Sequence, residues 1–247
     1  DNDGLTAADY TGIAVLIDRL KIAKDRVDLA SLSSTDLTPP GVTGGYLLKI
    51  DPTPDPTHFN FITSRGVPSW PAGQTGIIVE DPDLGGLKPA QRDYIRGYVQ
   101  TMEDSLYDAR AGNYARRDYL DYVDVPSWVD HHLMKTFFGD VDAFWHSDYF
   151  SKDKNGKAVF GPVWDFDGSM GYDPGDARDI NPSTWDTTGG RDVWNYDWWG
   201  QLFHDPEVMQ LWIDRWQGLR KNEFTNASLN SLADAIAAQI PADAAAR

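Results

Sequence analysis

Apolar residues come in short alternating runs over the first third of the chain and at helical spacing over the rest. Tyr10 to Ile17 places Ile13, Val15 and Ile17 on one face of a strand. Tyr46 to Asp51, Phe59 to Thr63 and Gly76 to Glu80 read as further strands, separated by breakers such as Pro39-Pro40-Gly41 and Pro52, Pro54 and Pro56. The period changes after Pro89. Ala90 to Ala109 carries Ile95, Tyr98, Val99, Met102 and Leu106 at helical spacing, and Trp128 to Phe138 follows as an apolar helix started by Pro126 and Ser127. Asp148 to Ser151 and Lys157 to Trp164 read as a hairpin turned by Asp153-Lys154-Asn155-Gly156. Helices return at Trp198 to Phe203, Pro206 to Lys221 and Ser228 to Ile240, the last capped by Thr225 or Asn226. Strands first and helices later predict an α+β class. Residues 1–88 form a β-rich front, and residues 89–247 form a helical rear with an inserted hairpin and a long loop at 168–190.

Composition narrows the function. The formal net charge is −16, carried by 34 Asp and only 4 Glu against 22 Lys plus Arg. No basic stripe offsets that field, which argues against a nucleic-acid binder and against docking on anionic lipid. With no Cys there is no disulfide, thiolate zinc site or cysteine nucleophile. No apolar run approaches the roughly 20 residues that span a bilayer. Asp favours turns, caps and compact cation sites more than helices, so most of these acids belong to loops. Asp1, Asp3 and Asp9 resemble half of a calcium loop but lack its Gly and closing Glu. His131, His132 and His146 do not match a zinc spacing, His58 and His204 are isolated, and there is no Gly-x-Ser-x-Gly elbow.

The densest chemistry lies on either side of the hairpin, in Gly139 to Asp148 and in Val163 to Gly171. A hairpin returns the chain to its start, so Asp142, Asp165 and Asp167 are expected to share one acidic pocket, partly buried by Trp164, Phe166 and Met170. Carboxylates that close repel unless a cation intervenes. Mg²⁺, which binds through one or two carboxylates plus water and phosphate, suits such a set. If Asp165-Phe166-Asp167 is a strand, both carboxylates point the same way. Lys49, at the end of an inner strand, is a candidate for facing phosphate, while Lys152 and Lys157 flank the turn and are expected in solvent.

Several segments carry a resemblance. Tyr10-Thr11-Gly12-Ile13-Ala14-Val15-Leu16-Ile17-Asp18-Arg19, Lys24 to Asp28, Gly44 to Asp51 and, most specifically, Trp164-Asp165-Phe166-Asp167-Gly168-Ser169-Met170-Gly171 are similar to motifs of the CotH family of spore-coat-protein-H-like, secreted atypical kinases. The resemblance implies an atypical protein-kinase-like fold with a reduced nucleotide lobe. It also implies transfer of the ATP γ-phosphate to Ser or Thr of a secreted or surface protein, using Mg²⁺ or Mn²⁺. On that pattern Asp142 orients the acceptor hydroxyl, and Asp165 binds metal with help from Asp167. Ser147 stands where kinase-like sites place a metal-binding Asn, and Asp18 stands where the family has Glu. Family members carry a phosphate-facing Lys before the point where Asp1 begins and continue beyond Arg247, so a preceding segment or a companion chain is expected to complete the nucleotide pocket.

Two other function classes remain. One is a catalytically reduced surface or scaffold protein that keeps the fold. The other is a glycan-binding or glycan-hydrolysing domain with paired carboxylates, in which Trp185 and Trp194, flanking the long loop, offer exposed platforms.

Overall fold

The computed structural model describes residues 20–65, 76–171 and 193–239. The expected strand at 10–17, the half calcium loop, Asp18, Trp185 and most of the long loop lie outside them. Five strands form one antiparallel sheet: β1 (Tyr46–Ile50), β2 (Phe59–Ile62), β3 (Gly76–Asp81), β4 (Asp148–Lys152) and β5 (Ala158–Phe160), in the order β2-β3-β1-β4-β5. The inserted hairpin thus supplies two of the five strands, and β4 pairs with β1 from Tyr46 opposite Lys152 to Ile50 opposite Asp148. Gly44 makes this junction possible: a Cβ there would lie 2.0 Å from the backbone of Asp153 and Lys154 in the hairpin turn.

Strand alternation gives the sheet two faces. Tyr46, Leu48, Ile50, Ile77, Val79 and Phe150 point into the core. Lys49, Ile78 and Tyr149, opposite one another in the ladder, point the other way. Helix α1 (Pro89–Ala111) contributes Ile95, Val99, Met102 and Leu106 to the same core. It starts at Pro89, and Gln91 accepts from the Lys88 N–H as in a capping box.

Helix α2 (Val125–Phe138) begins one turn earlier than Ser127, because Asp124 is its N-cap and accepts from the Ser127 N–H. Gly139 ends it in the left-handed region, φ +63°. α2 is buried on most of its circumference, so Trp128, Leu133 and also His131, His132 and Lys135 are inside. Helices α3 (Asp197–Phe203) and α4 (Pro206–Lys221) pack beside it, and α4 is capped by the buried Asp205, which also binds Arg117 and Tyr119. Helix α5 (Asn226–Ala237) is capped by Thr225 and has no buried residue.

Lys152 corrects the expectation that it is solvated. It points to the core side of β4, is buried, and lies with its ammonium over the rings of Tyr98 and Tyr94, donating to the carbonyls of Thr43 and Asp153. Burial pushes its pKa down to about 8, against the pull of Asp153. Lys157, one residue before β5, is exposed as expected.

Candidate functional site

The two acid-bearing segments meet. The Val141 N–H donates to the Gly168 carbonyl at 3.2 Å and the Met170 N–H to the Phe138 carbonyl at 2.9 Å. Gly168 permits this approach, since a Cβ would lie 2.9 Å from the Val141 side chain. Asp165-Phe166-Asp167 is not a strand, however. Pairing stops at Phe160, because Gly161 turns the chain at φ +123° and Pro162 has no N–H to continue the ladder. Phe166 faces inward against Phe138, whereas Asp165 and Asp167 are exposed, not partly buried. Met170, one of the residues expected to cover them, is itself 72% exposed. Neither carboxylate has an ion pair or hydrogen bond among the described residues.

Phe144, Ser147, Asp165 and Met170 all have positive φ, between 54° and 77°. This conformation is uncommon for side chains of their kind and concentrates where backbone is held for a purpose. Ser147 is the last residue before β4, and Asp142 is half-buried.

Asp142 connects to the outer sheet face through His146. His146 Nδ1 lies 3.9 Å from Asp142 Oδ2, and its Nε2 lies 3.5 Å from Asp51 Oδ2. Asp51 Oδ2 is 3.6 Å from Lys49 Nζ, which is also 3.6 Å from Glu80 Oε2. Glu80 is the extra residue of a bulge: Leu47 opposes Asp81 and Leu48 opposes Val79. A row of ionisable side chains thus runs Glu80, Lys49, Asp51, His146, Asp142. Tyr149, opposite Lys49, lies alongside it. Its phenol pKa is raised first by burial and then by the charges of Glu80, Asp51 and Asp165, and the ring of Trp164, the residue before Asp165, packs edge-on against it with centroids 6.3 Å apart. A cleft of about 720 Å³ lies between Asp25 to Leu29 and the β4–β5 face; Trp164 is on its wall, but Asp142, Asp165 and Lys49 do not line it.

Beneath the open acids is a buried set. Lys135 Nζ lies 2.6 Å from Asp140 Oδ2, 3.3 Å from Asp148 Oδ1 and 2.8 Å from the Trp164 carbonyl. His131 Nε2 is 2.9 Å from Asp148 Oδ1, and the Phe144 N–H donates to the other Asp148 oxygen. Burial opposes the charge on Lys135, yet Asp148 and Asp140 outweigh it and hold its pKa above the ordinary value. Burial would likewise raise Asp148, but His131 and Lys135 bring it below the ordinary value. Asp140 stays on the raised side because burial exceeds the pull of Lys135.

Asp51, Glu80, His146, Tyr149 and Lys135 were not singled out from sequence as partners of the site. Alternation on β1 was the available signal for an outward Lys49, but its partners come from β3 and from the segments around β4. Among the described residues no group of three or more His, Asp or Glu is arranged to hold a metal ion. Asp165 and Asp167, exposed and without hydrogen bonds among the described residues, are the carboxylates that could serve as ligands to Mg²⁺, an ion that takes most of its ligands from water and phosphate. Trp194 is half-buried, packed on His132, Phe203 and Trp212, so it is not the exposed platform expected for a glycan. Among the described residues no helix is long and apolar enough to cross a membrane.

Residues 3–245 match the family model described as CotH kinase protein, and the chain belongs to this family. No curated protein and no solved structure matches it.

Proposed function

We propose that this chain transfers the γ-phosphoryl group of ATP to a Ser or Thr hydroxyl of a secreted or surface protein. The reading is carried by the row from Glu80 through Lys49, Asp51 and His146 to Asp142, beside which Trp164, next to Asp165 in the chain, packs on Tyr149. Phosphoryl transfer needs a lysine oriented by a carboxylate toward the phosphates, a carboxylate beside the accepting hydroxyl, and a separate carboxylate for metal. Lys49, the sequence candidate for facing phosphate, fills the first role, with Glu80 and Asp51 as its carboxylates. Asp142 orients the hydroxyl and takes its proton as the oxygen bonds to phosphorus and ADP departs. Asp165, with Asp167, holds Mg²⁺ or Mn²⁺, which would neutralise phosphate charge. Five carboxylates around one lysine would repel free ATP, so the nucleotide enters as its divalent-metal complex.

One observation favours a second reading, a scaffold that keeps the fold without catalysis: Lys49 is already flanked by two carboxylates, which compete with phosphate for it. Incubation of the full-length protein with γ-labelled ATP, Mg²⁺ or Mn²⁺ and candidate acceptors separates the two. Label incorporation is expected in the wild type, with a loss of about 100-fold or more in Asp142→Ala and Asp165→Ala. Incorporation unchanged in both variants overturns the assignment of the site. No incorporation with either metal favours the scaffold.

A further inference from the structure

We infer that Lys135 is the positioning residue that fixes the segments carrying Asp142 and Asp165 relative to each other. The functional half of this inference rests on the phosphotransfer reading; the geometric half stands alone. An ammonium has three protons. Those of Lys135, on a fully buried side chain, have three acceptors within reach: Asp140 Oδ2, the Trp164 carbonyl and Asp148 Oδ1. Each acceptor belongs to a different part of the site. Asp140 uses its other oxygen to accept from the Asp142 N–H at 3.0 Å. The Trp164 carbonyl belongs to the peptide group that enters Asp165, which lies in the left-handed region at φ +61°. Asp148 accepts from the Phe144 N–H inside the turn between Asp142 and His146. The ring of Phe166 closes the remaining side, 4.9 Å from the ammonium.

Lys135 touches neither reacting groups nor solvent, so its effect is transmitted through these backbone contacts. A displacement of about 1 Å in such a site costs on the order of 100-fold in rate. Arginine is not equivalent. Its planar fork retains the charge but cannot meet three acceptors arranged around a tetrahedral nitrogen.

The test uses Lys135→Arg and the charge-compensated pair Lys135→Met with Asp140→Asn, which leaves Asp148 its contact with His131. Hydrogen exchange by mass spectrometry is read on peptides covering residues 139–147 and 161–168, and phosphotransfer is measured per folded molecule. The expected result is faster exchange in both segments together, unchanged exchange in β1 and α1, and kcat lower by about tenfold or more. A merely structural lysine would lower the melting temperature and leave kcat per folded molecule intact, which overturns the inference. Exchange altered in one segment only, or in neither, overturns it as well. If the double variant does not fold, Lys135→Arg alone decides. An inactive wild type overturns the phosphotransfer reading but not the positioning inference, which then stands or falls on the paired exchange response.

Discussion

Asp140 and Asp148 differ from Asp142, Asp165 and Asp167 only in where the fold directs them. All five lie in Asp140 to Asp167, and all are the same residue type. The first two are fully buried, and both contact Lys135. Asp165 and Asp167 are exposed and unpaired among the described residues, and Asp142 has only a 3.9 Å contact with His146. A buried carboxylate must be compensated to remain ionised, whereas an open one keeps its lone pairs for a ligand. The buried acids therefore maintain the site, and the open acids are available for its chemistry.

This division predicts unequal costs. Asp148→Ala removes the carboxylate of His131 and one of the two carboxylates of Lys135, and is expected to destabilise the fold by ~3–5 kcal/mol. Urea unfolding measures this, and a cost near zero would mean that the network is not stabilising. A smaller effect is expected from acid. Burial lowers the pKa of His132 to about 3, against its hydrogen bond to the Val193 carbonyl. Its Nδ1 accepts from Trp212, so protonation breaks that bond. The unfolded chain takes up this proton below its ordinary value of 6.5 and the folded chain does not until near 3, so this contribution to stability falls as pH drops through that window. The melting temperature should decline from pH 6.5 downward, while the His132 ring signals stay untitrated to pH 4.5. Titration of the ring in that range contradicts the buried assignment. The smallest effect is expected at the open acids: Asp165→Asn, which keeps a side chain tolerant of φ +61°, and Asp167→Ala should change stability by less than ~0.5 kcal/mol. A larger loss would show that they are structural after all.

Much of the architecture was legible because it depends on local pattern. Pro206 to Lys221 is a helix over the expected span, Thr225 caps the next one, and the hairpin turns within Asp153 to Gly156, the Gly156 N–H donating to the Asp153 carbonyl, with Lys154 and Asn155 rather than Asn155-Gly156 at the centre. The long strand read into Lys157 to Trp164 ends at Phe160, because a local apolar run outweighed Gly161 and Pro162 in that reading. Lys152 was misplaced for a related reason. Its neighbours in sequence are polar, but the Tyr94 and Tyr98 rings that cover it come from α1.

The residues 140–167 announced an acidic site, and their spacing around a hairpin was enough to bring its two segments together. Sequence by itself also determined the class, most strand and helix positions among the described residues, and the resemblance confirmed as family membership. Only the tertiary structure decided which acids are inside. It alone joined Lys49 to Glu80 and Asp51, and placed Lys135 under both segments. Such choices depend on which face of a strand or helix meets the core, and on partners tens of residues away, neither of which a local pattern of side chains contains.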